Sequence, residues 1–404
     1  MQRRLVILLF LLPFGFITEA ARAQSYSILG DSLVMEEAEA GLHLVYNLEF
    51  DSAGVIFGGI SRRNPDHPIG PFFEGLSVWW QIMSNLNDDR HDKRFNRLMQ
   101  DVIDRADKML KRDPENVDGL FFKGLGLSFR GRLHSNRRHW LRSVRDARGA
   151  ITQVVRLAET DAESDDFYFG WGIYDYFADA LPDERKWLVP FKLFFPNGDR
   201  ERGIEELQRT FENGRLLRAE AAYFLFQIFT TYEPNYRRSL EYITWLRVRY
   251  PRNVIFRSLE GHAYARFGRW DEAVRIFQEQ LDGWQSGKPG YSSALAEQSL
   301  YYLARAEMSR GAYRNALDYL KRLDDLTEPV GDDSAFHVLG RLRQGMAFDA
   351  LGYRPYAVMR YKQVVPMDNW SDSRERAKRY LKTPYRSPVP IIEPDVTAER
   401  EEAG

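Results

Sequence analysis

"VIFRSLEGHAYARFGRWDEAVRIFQEQL", residues 254–281, decides the fold. Gly261, Gly268, Ala273 and Phe277 punctuate it. "ALAEQSLYYLARAEMSRGAYRNALDYLKRL" (294–323) repeats the pattern with Ala304, Gly311, Ala316 and Leu320. "LGRLRQGMAFDALGYRPYAVMRYKQVV" (339–365) repeats it again with Gly345, Gly352, Ala357 and Tyr361. The offsets are 43 and then 41 residues. Two antiparallel helices per unit explain the spacing. The first small residue lets the paired helices approach closely. The Gly at 268, 311 and 352 ends the first helix, where a left-handed backbone is needed. The Ala at 273, 316 and 357 sits where the second helix crosses the first. The aromatic or Leu four residues later fills the gap on the same face.

The small-x6-Gly-x4-Ala-x3-Phe pattern resembles the tetratricopeptide repeat, a helix–turn–helix unit. Upstream, "LLRAEAAYFLFQIFTTYEPNYRRSLEYITWLRVRYPRN" fits as a further unit, with Ser239 at the Ala position and Pro251 at its end. Gly41, Ala53, Phe57 and Pro65 mark a first unit. Longer, degenerate units lie between. The expected fold is an all-α, right-handed superhelical solenoid of about eight helical hairpins over residues 35 to about 365. Residues 35–253 hold the degenerate hairpins, with an insertion at 182–198. Residues 254–370 hold three clearer units. A polar capping helix is expected over 371–383 and a flexible tail over 384–404, after a lead-in at 24–34.

Residues 1–23 read as a secretory signal peptide. Arg3 and Arg4 precede an apolar stretch from Leu5 to Ile17, and Ala21-Arg22-Ala23 supplies the cleavage pattern. Export is therefore expected, to a periplasmic or outer-membrane-associated location, free or peripherally attached. No later segment is apolar enough for a membrane span. The chain of 404 residues has no Cys, which removes disulfides, thiolate metal sites and Cys nucleophiles. The net charge is −1, about −3 once the leader is removed, so there is no basic footprint for nucleic acid. Only 11 of the 57 basic residues are Lys, so Arg, with its planar two-donor fork, dominates the cationic surface.

"GIYDYFADALP" (172–182), "FFPNGDRERGIEEL" (194–207) and "YPRN" (250–253) resemble a group of exported bacterial tetratricopeptide proteins. The Gly-Asp-Arg-Glu-x-Gly element is more distantly similar to one in the eukaryotic tetratricopeptide-39 and inclusion-body-clearance family. The resemblance implies a repeat scaffold and assigns no catalytic residue. Turn and cap chemistry account for Gly198, Asp199, Arg200 and Gly203: Asn197-Gly198 makes a turn and Asp199 caps a helix starting at Arg200. The apolar run Leu188–Phe195 is not explained by a simple repeat turn. It is expected to cover the stack, line its groove or meet a partner.

Enzyme signatures are weak. The seven His are scattered, with no His-Glu-x-x-His. "GLSVWW" and "GLSFRG" are not nucleophile elbows, and "GWGIYD" lacks a dinucleotide fingerprint. "TDAESDD" (160–166) lacks the Gly and bidentate Glu of a calcium loop and reads as a solvated linker. No metal, cofactor or catalytic residue is expected. Two features are candidates for binding, against a solvated, ion-paired face for the first and core packing for the second. Arg138, Arg142 and Arg145, with Arg148 beside them, form a stripe on one helix face suited to an anionic group, with Trp140, Leu141, Val144 and Ile151 on the buried side. Trp171, Tyr174 and Tyr176, with Phe194 and Phe195, form an aromatic set. The expected function is a non-catalytic protein–protein interaction scaffold of the bacterial envelope, holding a partner segment in the concave groove. The alternative is an all-helical protein that binds or cleaves glycans.

Overall fold

A computed structural model describes residues 27–160, 163–184, 197–328 and 333–392, without the side chains of 181–184. The leader, the apolar run 188–195 with Phe194 and Phe195, and the last twelve residues lie outside this range. Seventeen α-helices and no strand occur among the described residues. Sixteen pair into eight antiparallel hairpins. Hairpin 1 is α1 (Ser32–Tyr46) and α2 (Phe50–Arg63), and hairpin 2 is α3 (Ile69–Ser84) and α4 (Asp92–Arg112). Hairpin 3 is α5 (Val117–Asn136) and α6 (Trp140–Ala158), and hairpin 4 is α7 (Tyr168–Glu184) and α8 (Arg200–Asn213). Hairpin 5 joins α9 (Arg218–Gln227) through a π-helical turn, Ile228–Tyr232, to α10 (Tyr236–Arg249). Hairpins 6 to 8 are α11 (Val254–Arg266) with α12 (Trp270–Gln285), α13 (Ser293–Ser309) with α14 (Tyr313–Thr327), and α15 (Ala335–Ala350) with α16 (Arg354–Val364). α17 (Ser373–Lys382) closes the stack. The all-α repeat solenoid is as the sequence predicts.

One turn geometry recurs. Gly268, Gly311 and Gly352 stand at φ +77°, +82° and +81°. The amides one residue on, at Arg269, Ala312 and Tyr353, donate back to Tyr264, Glu307 and Phe348 carbonyls at 2.8, 3.0 and 2.8 Å. This closes the first helix and aims the chain into the second. Hairpins 1 and 3 use the same turn without Gly. Leu48 and Arg138 take its left-handed position at φ +63° and +59°, and Glu49 and His139 donate to Leu44 and His134 carbonyls at 2.9 and 2.8 Å. Such a backbone costs a side-chain-bearing residue about 1–2 kcal/mol. Asn116, Asn235, Asn253, Ser292 and Ser334 cap α5, α10, α11, α13 and α15 through their side chains.

The superhelix returns onto itself after about five hairpins. Tyr46 Oη of hairpin 1 donates to Glu220 Oε1 of hairpin 5 at 3.4 Å, and Asn253 Nδ2 of hairpin 6 donates to the Tyr46 carbonyl at 2.7 Å. Ser292 Oγ of hairpin 7 donates to the Ser84 carbonyl of hairpin 2 at 3.4 Å. Arg138 of hairpin 3 pairs with Asp368, beyond hairpin 8, at 2.8 Å and covers Trp370. The inner faces of α1, α3, α5, α9 and α11 therefore meet in one core that includes Tyr46, Trp79, Trp80, Phe226 and Phe256. Along this stretch the concave groove is filled by the chain's own side chains. Part of the stretch expected as a flexible tail is tied down as well. Tyr385 N donates to Asp349 Oδ2 at 2.8 Å, Tyr313 Oη to Ser387 Oγ at 2.6 Å, and Ile392 N to the Gly311 carbonyl at 3.1 Å.

Candidate functional site

Hairpins 3 and 4 part between α6 and α7, leaving a cleft of about 790 Å³. Leu120, Leu125 and Phe129 of α5 form its floor. Trp140, Val144, Ala147, Ile151 and Val154 of α6 form one wall, and Phe169, Ile173, Tyr174 and Phe177 of α7 the other. Its cause is legible in the repeat register. Gly41, Gly261 and Gly345 each lie against the filler ring of their own hairpin: Phe57, Phe277 and Tyr361. Hairpin 3 carries Ala147 at the filler position and Ser143 at the Ala position. The three atoms nearest a Cβ on Gly131, the matching small residue, belong to Asp146, Ser143 and Ala147, at 3.4, 3.5 and 3.7 Å, and none is a ring. A missing ring at a repeat position leaves space that its neighbours do not fill.

The cleft's carboxylates are engaged. Asp166 is buried and accepts amides of Arg215, Leu216 and Leu217 at 3.1, 3.1 and 2.8 Å. Burial raises its pKa against those bonds. It is a structural anchor between hairpins 4 and 5, not the solvated linker residue expected. Asp179 pairs with Arg200 at 2.6 Å. Burial, with Asp175, pushes the Tyr174 hydroxyl up to about 12.

Of the described residues in the Arg stripe and the aromatic set, Tyr174 lines this cleft and the others do not. Arg138 is not on the α6 face, because the helix starts at Trp140 and Arg138 sits in the left-handed turn before it. Arg142, Arg145 and Arg148 do share the exposed outer face. Leu141, expected on the buried side, is 79% exposed, while Trp140, Val144 and Ile151 line the cleft. Tyr174 lines it from α7. Tyr176 is fully buried, its hydroxyl 3.5 Å from Glu233, and belongs to the core. Trp171 is half-buried against Tyr174.

The Gly-Asp-Arg-Glu-x-Gly element clasps α8 to α7. Asp199 caps α8 by accepting the Arg202 amide at 3.1 Å. Arg202 pairs with the buried Asp175 at 2.5 Å, and Arg200 with Asp179. A Cβ on Gly203 would lie 2.5 Å from Tyr176 N, and one on Gly198 2.3 Å from the Asp175 carbonyl. Sequence reasoning found the cap and the turn but missed the two Arg–Asp pairs, whose partners lie beyond the insertion.

No family model and no curated protein matches the chain. Among solved structures it is similar to a Rap protein complexed with competence and sporulation factor, at 12% identity, TM-score 0.45, covering 87% of this chain and 96% of that one. Yeast Tom70 follows at 10% identity and TM-score 0.39, covering 87% and 81%. The tetratricopeptide domain of P58(IPK) gives 14% identity and TM-score 0.25, covering 87% and 89%. All three scores lie below 0.5, and nothing about function is carried from them. Among the described residues, no helix is long and apolar enough to cross a membrane.

Proposed function

We propose that the chain is a non-catalytic interaction scaffold of the bacterial envelope whose partner docks on the outer face of α6. The observation that supports this is the uncompensated charge there. Arg142 and Arg148 are exposed, and their side chains make no ion pair or hydrogen bond among the described residues. Arg145 reaches only Asp146 at 3.4 Å, and Asp146 is already held by Arg130 Nε and Nη2 at 2.7 and 2.8 Å. Exposed Leu141 adjoins them. Two unpaired guanidinium groups and a third that shares its carboxylate with Arg130, beside an apolar residue, suit an acidic partner surface with an apolar anchor. The concave-groove version is less favoured, because the chain's own residues occupy that groove through hairpin 6. Glycan cleavage is less favoured too, because among the described residues both cleft carboxylates, Asp166 and Asp179, are engaged by backbone amides or by Arg200.

Affinity capture from envelope extract, native protein beside Arg142→Glu/Arg145→Glu/Arg148→Glu, tests the reading. A partner held by the native chain and lost by the charge-reversed one, with capture weakening as salt rises, supports it. A partner held equally by both rejects the α6 face.

A further inference from the structure

Among the described residues, the cleft's apolar walls end on one cation. Arg132 of α5 lines the cleft, its guanidinium carbon 4.7, 5.1 and 4.8 Å from the ring centroids of Trp79, Tyr223 and Phe224. Its side chain is 22% exposed. A guanidinium carries five N–H donors, and those of Arg132 make no hydrogen bond to a described residue. Among the described residues its ion-pair partner is Glu220, with Oε2 at 3.6 Å, beyond hydrogen-bond reach. Glu220 is fully buried. Its Oε1 accepts Trp80 Nε1 at 3.1 Å and the Tyr46 hydroxyl, while Oε2 has no hydrogen-bond partner. Burial pushes the Glu220 pKa up, against the pull of Arg132.

A largely desolvated guanidinium with an unmet donor fork favours a carboxylate that takes two of its bonds. The apolar walls ask the same ligand for a hydrocarbon body. We propose that the cleft between hairpins 3 and 4 binds a long-chain carboxylic acid, its carboxylate on Arg132 and its chain along α6 and α7. The volume lies within the range of pockets that enclose small organic ligands. A bare inorganic anion would leave the apolar walls wet. The α6 residues that line the cleft do not include Arg142, Arg145 or Arg148. Failure of this proposal therefore leaves the partner face untouched, and the reverse holds.

The test is calorimetric titration of the full mature chain with dodecanoate, 1-dodecanol and dodecyltrimethylammonium, each below its micelle concentration. The expected order is dodecanoate tightest, the alcohol about ten- to hundredfold weaker for want of the charged hydrogen bonds, and the cation weakest. Arg132→Gln should bring dodecanoate to the level of the alcohol. Ile173→Trp, which fills the cleft, should abolish both. Equal affinity for carboxylate and alcohol, or no binding of either, overturns the proposal, and this comparison needs no variant to fold. Tight binding only of an apolar peptide with a free C-terminal carboxylate, run alongside, would also overturn it, in favour of a protein ligand.

Discussion

Arg138 and Gly268 occupy the same place in hairpins 3 and 6. Each is left-handed, at φ +59° and +77°, and each is followed by an amide that closes the same turn onto the helix before it. Gly takes this backbone freely and Arg does not. The Arg138 side chain gains an exposed pair with Asp368 and a ring contact with Trp370 in return. Exposed pairs contribute about 0–1 kcal/mol. Arg138→Ala loses both contacts and keeps the strain, whereas Arg138→Gly loses both and relieves it. Urea unfolding should find the Gly variant more stable than the Ala variant by about 1 kcal/mol. Equal stabilities would mean that the turn is not left-handed.

The clasp between α7 and α8 makes a second contrast. A methyl on Gly203 would press on Tyr176 N and the Gly172 carbonyl at 2.5 and 2.9 Å, and both are backbone. Gly203→Ala should therefore destabilise by about 1–3 kcal/mol, as overpacking does. Gly54, inside α2, has nothing within 4 Å of its Cβ position. Gly54→Ala should stabilise by about 0.5–1 kcal/mol. Thermal unfolding of the two variants should move in opposite directions.

Glu206 gives the clasp a pH dependence. Burial first, then Asp175, pushes its carboxyl up to about 7 from 4.5, and Oε2 has no hydrogen-bond partner. A carboxyl raised in the folded state binds its proton more tightly there than in the unfolded chain. Its contribution is favourable below pH 4.5 and is lost as pH rises through about 7. The shift corresponds to about 3 kcal/mol at most, reduced to about 1–2 because the group is half-buried. Urea midpoints should fall between pH 5 and 8 in the native chain. Glu206→Gln should flatten that slope and raise stability at pH 8.

How much of this was legible follows from how local each cause is. The hairpins at 254–365 were readable because a Gly, an Ala and an aromatic or Leu recur within about a dozen residues, and each acts on its own hairpin. The superhelical closure was not readable. Tyr46 and Glu220 are far apart in sequence, and nothing near either marks the other. The Arg stripe failed by its first member. Arg138 looks helical beside Arg142, and only alignment of Gly131 with Gly261 puts it in the turn. The same alignment exposes Ala147 at the filler position, the one local sign of the cleft. The Arg200 and Arg202 partners were missed because a long insertion separates them from Asp179 and Asp175.

The C-terminal segment supplies a last test, because it touches one repeat glycine and not its equivalents. Gly311 and Gly352 share a left-handed φ, +82° and +81°, but a Cβ on Gly352 meets open space, while one on Gly311 would lie 1.9 Å from the Pro390 carbonyl. Both Ala variants incur the left-handed backbone, about 1–2 kcal/mol. Gly311→Ala must also push residues 390–392 off the turn and break the bond from Ile392 N to the Gly311 carbonyl. In the full chain, Gly311→Ala should cost more than Gly352→Ala by about 1 kcal/mol, the worth of a lost hydrogen bond. In a chain ending at residue 383 the two should cost the same. Measuring all four by urea unfolding isolates the docking energy of the segment, since the backbone cost cancels in the comparison. If the gap between the two variants survives truncation, the segment does not rest on Gly311.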